Sequence, residues 1–448
     1  MITSLRLVNF KNFADETLRL GPFTLIVGAN ASGKSNIRDA FRFLEGICDN
    51  YTLAEILGGR YGAEDQPVRG AANEVIRFGQ DEFALEVEME LTELLKSGVK
   101  SIRYFIRIRR DQAGGQFQVI AESLRTGART PDSRVPEILY TSDPPLNCSK
   151  GAELEDSKLR LYLPLAGEPI EVASDQPGLS QIDDFLSDFV SMNGPEDIDD
   201  EQAKDLIAKL TIYLTKLDIR RELLSMHFLE LSPESMRRAA VPGATRLGES
   251  GNNLATVLEA ICGSAQRKSV LLSWLHELTP MDVEDLEFPI DLDGTVNLRI
   301  REANGRGVSA HSASDGTLRF LGMLAVLLSE DSAGFYFFEE IDNGIHPARL
   351  HLLLDLIERQ TAKGKIQVVA TTHSPDVLNL INDTTFENAV VVYRDEDAAD
   401  AVIRQVAELP NARELRKSQG LGRLHASGWM ENILSFAEAD GEGQKDGE

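Results

Sequence analysis

Residues 28–35 read Gly-Ala-Asn-Ala-Ser-Gly-Lys-Ser and fit the phosphate-loop pattern G-x-x-x-x-G-K-[ST]. In such a loop the backbone N–H groups converge on phosphate oxygens, and the following helix favours negative charge at its N-terminus. Lys34 can reach the β- and γ-phosphate oxygens, and the hydroxyl of Ser35 can ligate Mg²⁺. The spacing therefore predicts a nucleotide-binding site rather than an ordinary glycine-rich turn.

A second set of residues able to do chemistry is the adjacent pair Glu339 and Glu340. They follow four consecutive aromatic residues, 335–338, which predict a buried strand. An unpaired charge is costly to bury, so two acids at a strand end need a reason beyond packing. A Mg-nucleotide site supplies one, because one acid can hold the metal while the next polarises the attacking water.

Two further stretches carry weaker signals. His373 follows the apolar run 366–370 and could contact a γ-phosphate, although a lone histidine after a strand is usually structural. Residues 314–317, Ser-Asp-Gly-Thr, open a predicted helix whose N-terminus could hold an anion. A capping Ser or Asp alone would give the same pattern.

The elements around the phosphate loop match these roles. Residues 23–27 are apolar and β-rich, and they predict a buried strand that feeds the loop. After the loop, apolar residues at 37, 40, 41 and 44 have the spacing of one helix face. Residues 2–10 predict a first strand, and residues 16–20 predict an antiparallel return.

Between 74 and 124 the apolar period changes to two, which predicts antiparallel strands packed on one face. Further on, residues 201–226 and 253–276 predict helices, and residues 283–288 with 296–300 predict a hairpin. A basic stripe on the antiparallel strands is either a nucleic-acid contact or a solvated face: Arg103, Arg107, Arg109 and Arg110. A second basic group has the same alternatives of partner contact or internal ion pairing: Arg220, Arg221, Arg237, Arg238 and Arg246.

Composition limits the class of protein. The 448 residues carry a net charge of −26, so any nucleic-acid contact needs a local basic patch. The three cysteines are scattered, which fits reduced thiols and excludes a zinc site of the C-x-x-C type. The first residues lack a signal-peptide pattern, and the chain has no apolar run long enough to cross a membrane. We expect a cytoplasmic protein without a membrane contact.

The order of phosphate loop, Ser-Asp-Gly-Thr-Leu-Arg, strand-Glu-Glu and Thr-Thr-His-Ser resembles the ABC-type ATPases of the SMC/RecF/OLD branch. More narrowly, it resembles the compact RecF-like or AAA_21 ATPases without a Toprim domain, as do residues 5–13 and 344–347. The resemblance covers residues 1–48 and about 230–435. It implies an α/β ABC-type ATPase head, with a mixed sheet core and an antiparallel β subdomain, plus an inserted mainly helical region.

On this basis we expect four segments. They are an N-terminal lobe at 1–142, an inserted region at 143–280, a C-terminal lobe at 281–436 and a disordered tail at 437–448.

The resemblance also implies a role for each matching residue. ATP phosphates would be held by Asn30, Ser32, Gly33, Lys34, Ser35 and Asn36, and Mg²⁺ by Ser35 and Glu339. Glu340 would be the general base and His373 the switch histidine. Ser314 and Gly316 would contact the γ-phosphate of ATP bound to a second protomer, so ATP would be sandwiched in a head-to-tail homodimer.

Two features depart from the better-known pattern of that class. Asp315 stands where the signature has Gly, although the narrower group shares it. The metal-sensing glutamine is ambiguous among four candidates: Gln80, Gln112, Gln116 and Gln118.

The expected function is a conformational switch or sensor that hydrolyses ATP, in bacterial anti-phage defence or DNA transactions. It would form a homodimer or higher oligomer and work with an effector such as a nuclease or Toprim-type protein. Nucleic acid is a further candidate partner. One alternative is an ATP-gated scaffold with negligible turnover. Another is an OLD-like nuclease-associated repair ATPase, for which Asp395-Glu396-Asp397 would be a metal site, although little chain follows it.

Overall fold

The structure is a computed structural model of the chain. It describes residues 1–58, 68–90, 100–111, 115–127, 138–142, 158–162, 170–181, 215, 217–278, 283–329, 334–394 and 399–418. These form two compact units. The first comprises Met1–Gly21, Ala29–Ser225 and Val392–Arg404, and the second Pro22–Gly28, Met226–Val391 and Gln405–Glu448. The predicted tail at 437–448, the acidic run 395–397 and most of the predicted helix 201–226 lie outside the described residues.

The first unit is built on a six-stranded antiparallel sheet in the order β2-β1-β4-β5-β6-β7. Its strands are β1 (Ile2–Phe10), β2 (Phe13–Arg19), β4 (Glu82–Glu90), β5 (Ser101–Arg110), β6 (Phe117–Thr126) and β7 (Ile138–Thr141). Along β5, Ile102, Tyr104, Ile106 and Ile108 are buried while the arginines are exposed, which confirms the predicted two-residue period. The predicted antiparallel return after β1 is confirmed as well.

The other described elements of the first unit lie around this sheet. They are α1 (Lys34–Cys48), α2 (Leu53–Gly58), a 3₁₀ turn (Ala72–Glu74), the antiparallel pair β8 (Lys158–Leu161) and β9 (Ile170–Ala173), and a helix at 217–224. Helix α1 has the predicted apolar face, because Ile37, Ala40, Phe41 and Leu44 are all buried. Strand β17 (Val402–Gln405) begins in this unit.

The second unit contains a parallel sheet in the order β10-β14-β15-β3-β16. Its strands are β3 (Phe23–Val27), β10 (Met226–Leu229), β14 (Phe335–Phe338), β15 (Gln367–Thr372) and β16 (Val390–Tyr393). All side chains of β3, β14 and β15 are buried, as in parallel sheets covered on both faces. The runs that the sequence predicted to be buried strands are therefore core strands.

Helices and a small sheet complete the second unit. The helices are α3 (Pro233–Met236), α4 (Leu254–Cys262), α5 (Ala265–Leu278), α6 (Asp315–Leu328), α7 (Pro347–Thr361), α8 (Pro375–Leu380), α9 (Asp383–Glu387) and α10 (Ala412–Ser418), with 3₁₀ turns at Ala310–Ser312 and Val406–Glu408. The small antiparallel sheet consists of β11 (Val283–Glu287), β12 (Arg299–Glu302) and β13 (Gly307–Ser309). The apolar helix α6 packs against α3, α4 and α5.

Two elements differ from their predicted form, and one region contains strands beside its helices. The helix predicted at 253–276 is broken into α4 and α5 at Gly263 and Ser264, residue types that favour helix ends. The predicted hairpin after 283 acquires a third strand, β13. Within the region 143–280, predicted as mainly helical, the described residues include β8 and β9, and β10 is a full member of the parallel sheet.

Candidate functional site

Three neighbouring strands of the parallel sheet end together, and each is followed by candidate site residues. Phe338 of β14 pairs with Ala370 of β15, and Thr372 of β15 pairs with Val27 of β3. Glu339 and Glu340 follow β14, His373 follows β15, and the chain leaves β3 directly into the phosphate loop at Gly28. The predicted parallel placement of the histidine strand beside the acid-ended strand is confirmed.

The residues after β14 form what we call the acidic turn, residues 339–344. The main-chain N–H of Glu339 donates to Leu229 O at 3.1 Å, and that of Glu340 donates to Thr371 Oγ1 at 3.0 Å. Glu340 has a φ of 49°, in the left-handed region that few residues other than glycine adopt. Because the neighbouring strand fixes its backbone, the direction of the Glu340 Cα–Cβ bond is set by the fold.

The two threonines that end β15 also brace the acidic turn. Thr371 O accepts from Ile341 N at 3.1 Å, and Thr372 Oγ1 donates to Asp342 Oδ1 at 2.6 Å. The same Thr372 hydroxyl accepts from Ser374 N at 2.9 Å. Sequence reasoning named none of these residues as site residues, although Thr-Thr directly precedes His373.

The candidate catalytic side chains differ in exposure. Glu339 is half-buried, whereas Glu340 and His373 are exposed. Asn343 Nδ2 donates to Glu340 Oε2 at 2.9 Å. An exposed carboxylate at a strand end, held through one oxygen, can accept a proton from water.

The phosphate loop leads into α1 in the first unit. Gly33 immediately precedes this helix with a φ of 116°, a conformation suited to glycine. An added Cβ at this position would lie 2.8 Å from the Asn12 amide nitrogen. Asn12 in turn accepts from Asn36 Nδ2 at 2.7 Å, and the Lys34 ammonium donates to Ala29 O at 2.7 Å. Asn30 and Ser35 are exposed.

Ser32 is buried within this loop. Among the residues that the structure describes, none forms a hydrogen bond with its Oγ atom. A buried hydroxyl without a protein partner is costly unless a ligand or water satisfies it. A phosphate oxygen has the required chemistry.

Three residues that sequence reasoning did not select anchor the first turns of α1. Asp39, only 1% exposed, forms ion pairs with Lys11 and with Arg69, the latter at 3.1 Å. Arg69 Nη2 also donates to Ser35 O at 2.7 Å. The sequence signal was slight: Lys11 lies in the family-like opening stretch, whereas Asp39 falls outside the predicted apolar face of α1, so its burial was not indicated.

The segment before α6 is held by a helix cap, a close backbone approach and an ion pair. The Ser314 hydroxyl caps the helix by accepting from Thr317 N at 3.2 Å. A Cβ on Gly316 would lie 2.2 Å from Gly344 O, so only glycine permits this close approach to the acidic turn. Asp315 pairs with Arg237 at 2.6 Å, which gives the atypical aspartate of the signature a partner.

The predicted basic stripe on β5 faces acids of the neighbouring strand. Arg109 pairs with Glu82 at 2.7 Å, and Arg103 lies 3.5 Å from Glu88. These cross-strand pairs favour the solvated-face alternative for the stripe. In the second basic group, Arg221 pairs with Asp218 at 3.0 Å, and Arg237 with Asp315.

The described residues set two further limits. They contain no group of three or more His, Cys, Asp or Glu side chains arranged to hold a metal ion. Within the same residues, none of the helices combines the length and the apolar character needed to span a bilayer.

The chain is similar to several known proteins. It matches the AAA_21 family model, described as "AAA domain, putative AbiEii toxin, Type IV TA system", over residues 23–160 and 278–379. It is 20% identical over 400 residues to an "ATP/GTP phosphatase" of Helicobacter pylori, a match that covers 86% of this chain and 89% of the relative.

Two solved structures of SMC heads are also similar. One is the SMC head domain from Thermotoga maritima, with a TM-score of 0.40 and 14% identity, covering 90% of this chain and 98% of that one. The other is the SmcHead bound to the C-winged helix domain of ScpA, with a TM-score of 0.44 and 15% identity, covering 90% and 97%. Because the family model matches more than half of the 448 residues, the chain belongs to the AAA_21 family and is an α/β P-loop ATPase of that family.

Proposed function

We propose that this ATPase binds Mg-ATP, dimerises around it and uses slow hydrolysis to switch between two conformations. The observation that carries the proposal is the common edge of β14, β15 and β3, where the acidic turn, His373 and the start of the phosphate loop follow adjacent strands. In open α/β sheets, ligands bind beyond the carboxyl ends of the strands.

The phosphate loop and the first turn of α1 would hold the phosphates of ATP. The buried Oγ of Ser32, the backbone around Gly33 and the Lys34 ammonium supply the required hydrogen-bond donors. Asn30 and Asn36 would complete the set, since Asn36 is fixed through Asn12 and Asn30 is exposed on the loop.

Ser35 and Glu339 would hold Mg²⁺. A hydroxyl and a carboxylate are the oxygen ligands that this ion prefers, and it usually takes its remaining ligands from substrate phosphates and water. When bound, Mg²⁺ would neutralise charge on the β- and γ-phosphate oxygens.

Glu340 would act as the general base, and His373 would contact the γ-phosphate. The Glu340 carboxylate is exposed, its backbone is fixed by Thr371, and Asn343 holds one of its oxygens. His373 is exposed after the adjacent strand. Positioned proton acceptors of this kind contribute roughly 10²–10⁴-fold to a rate.

Ser314 and Gly316 would contact ATP bound to a second copy of the chain. They open the 14-residue helix α6, whose N-terminus favours an anion, and Ser314 is exposed there. Gly316 also touches the acidic turn through Gly344 O. The contact would therefore link nucleotide at a dimer interface to the residues that hydrolyse it.

The proposed biological setting is bacterial anti-phage defence or a DNA transaction, with an effector such as a nuclease or Toprim-type protein. The family description, which names a putative toxin and a toxin–antitoxin system, supports the defence part of this proposal. The proposed location is the cytoplasm, and nucleic acid is a further candidate partner.

Two measurements test the proposal together. Glu340→Gln should lose turnover yet retain Mg-ATP, so light scattering should show ATP converting it from monomer to dimer. Added to Glu340→Gln, the change Ser314→Arg should abolish the ATP-dependent dimer, because a bulky cation replaces the capping hydroxyl. Introduced alone into the wild type, Ser314→Arg should abolish turnover. Wild-type turnover in Glu340→Gln, or a mass unchanged by ATP, would contradict the mechanism.

A further inference from the structure

Asn343 makes two contacts with the candidate base. Its side-chain Nδ2 donates to Glu340 Oε2 at 2.9 Å, and its main-chain N–H donates to Glu340 O at 2.9 Å. The two residues are three apart in the acidic turn and both are exposed. One asparagine thus ties the main chain and the carboxylate of Glu340 to the same turn.

The backbone of Glu340 is fixed independently of Asn343. Its N–H donates to Thr371 Oγ1 at 3.0 Å, and its φ of 49° is unfavourable for a residue with a Cβ. Such a conformation persists only where surrounding contacts hold it, and it is concentrated at functional sites. With the main chain fixed, the position of the carboxylate depends on side-chain torsions, and the Asn343 amide restricts these.

We propose that Asn343 is a positioning residue for ATP hydrolysis, which orients Glu340 by holding its Oε2 atom. No residue that the structure describes hydrogen-bonds the other oxygen, Oε1. An amide suits this role because it donates to a carboxylate without carrying charge or titrating. A base oriented by a third group is the general arrangement of activated nucleophiles. The inference rests on the proposed role of Glu340 as base.

The proton transfer balances with these groups. As the oxygen of water forms its bond to the γ-phosphorus, a water proton passes to Glu340 Oε1. The bond between the γ-phosphorus and the β–γ bridging oxygen breaks, and ADP leaves with that electron pair. Asn343 keeps its proton throughout, since its contact is with Oε2.

The test compares two isosteric changes in the full chain. Asn343→Asp removes the donor and places a second carboxylate beside Glu340. We expect kcat for Mg-ATP to fall roughly 10- to 100-fold with KM little changed, because misplacing a reacting group is costly even when binding is intact. The matched control is Asn304→Asp, since Asn304 Nδ2 also donates to a glutamate in an exposed turn, Glu302 Oε2 at 3.2 Å. The control should retain wild-type kcat.

Two further variants separate positioning from folding. Asn343→Gln keeps an amide donor and should recover part of the lost kcat. In a Glu340→Gln background, Asn343→Asp should cause no additional fall in the single-turnover rate, because the base it orients is already absent. A fall of the same size in both backgrounds, or a loss of ATP binding and thermal stability that accounts for the lower rate, would overturn the inference.

The outcomes also separate this inference from the proposed function. If Glu340→Gln alone kept wild-type turnover, the assignment of Glu340 as base and the positioning role of Asn343 would both be refuted. Lost turnover in Glu340→Gln, combined with wild-type kcat in Asn343→Asp, would refute only the role of Asn343.

Discussion

Glu122 and Glu340 show two ways in which this chain places a carboxylate. Glu122 lies on β6 in the first unit, 1% exposed, and accepts from Tyr104 and Tyr140 hydroxyls at 3.0 and 2.8 Å. Its carboxylate also accepts from the N–H groups of Gly178 and Leu179 at 2.6 and 2.9 Å. Glu340, in the second unit, is exposed, and its carboxylate is held by Asn343.

The difference separates a structural acid from a candidate catalytic one. Four donors saturate Glu122, and its position ties the segment around Gly178 to the antiparallel sheet. Burial raises the pKa of Glu122, and its hydrogen bonds partly oppose that rise. A saturated carboxylate closed to solvent cannot meet a substrate, whereas an exposed one with an available oxygen can.

The largest expected effect comes from removing the buried carboxylate. Glu122→Ala leaves two N–H groups and two tyrosine hydroxyls without their acceptor in the core. We expect the free energy of unfolding to fall by about 3–5 kcal/mol, measured by urea denaturation. The control, Glu82→Ala, removes a half-buried carboxylate whose ion pair with Arg109 is exposed to solvent, and it should cost roughly 1 kcal/mol or less. Equal losses in the two variants would contradict the comparison.

The sequence predicted Glu340 but gave no sign of Glu122, for a physical reason. Glu340 directly follows four aromatic residues of a buried strand, so its neighbours in sequence reveal its place. Glu122 belongs to β6, whose mixture of polar and apolar residues is typical of a strand with one solvent-exposed face. Its donors come from residues 104, 140, 178 and 179, which no local pattern joins to it.

The same reasoning applies to the fold and the phosphate loop. Period-two and fully apolar runs predicted most strands, because burial of a strand face depends on local pattern. The membership of β10 in the parallel sheet was missed, since strand order is a long-range property. Likewise the loop motif was evident, whereas its anchors Asn12 and Arg69 are known only from contacts across 24 and 34 residues.

A smaller effect concerns the pH dependence of stability. Because the pKa of Glu122 is raised in the folded state, the unfolded chain ionises first as pH rises above about 4.5. The contribution of Glu122 to stability is therefore complete below that pH and is lost as pH rises through the folded pKa. The loss has a slope on the order of 1 kcal/mol per pH unit.

Glu122→Gln removes this titration while keeping most of the side chain's volume. We expect its free energy of unfolding, minus that of the wild type, to rise with pH over this window. Urea denaturation at a series of pH values measures the difference, and Glu82→Gln serves as the control, since its carboxylate is only half-buried. A constant difference for Glu122→Gln would show that burial does not raise the pKa of this carboxyl.

The smallest expected effect lies at the exposed carboxylate and has the opposite sign. The left-handed φ of 49° at Glu340 is strained for a residue with a Cβ and lowers the stability of the folded state, whereas glycine adopts it without strain. Glu340→Gly should therefore increase the free energy of unfolding by about 0.5–1 kcal/mol while abolishing ATP turnover. Asn411→Gly is the matched control, since Asn411 has a φ of 57° in the same unit. It should gain less stability, because asparagine tolerates this conformation better than glutamate, and it should keep wild-type turnover. If Glu340→Gly were instead destabilised as Glu122→Ala is, Glu340 would be a structural acid like Glu122, and the distinction between the two carboxylates would fail.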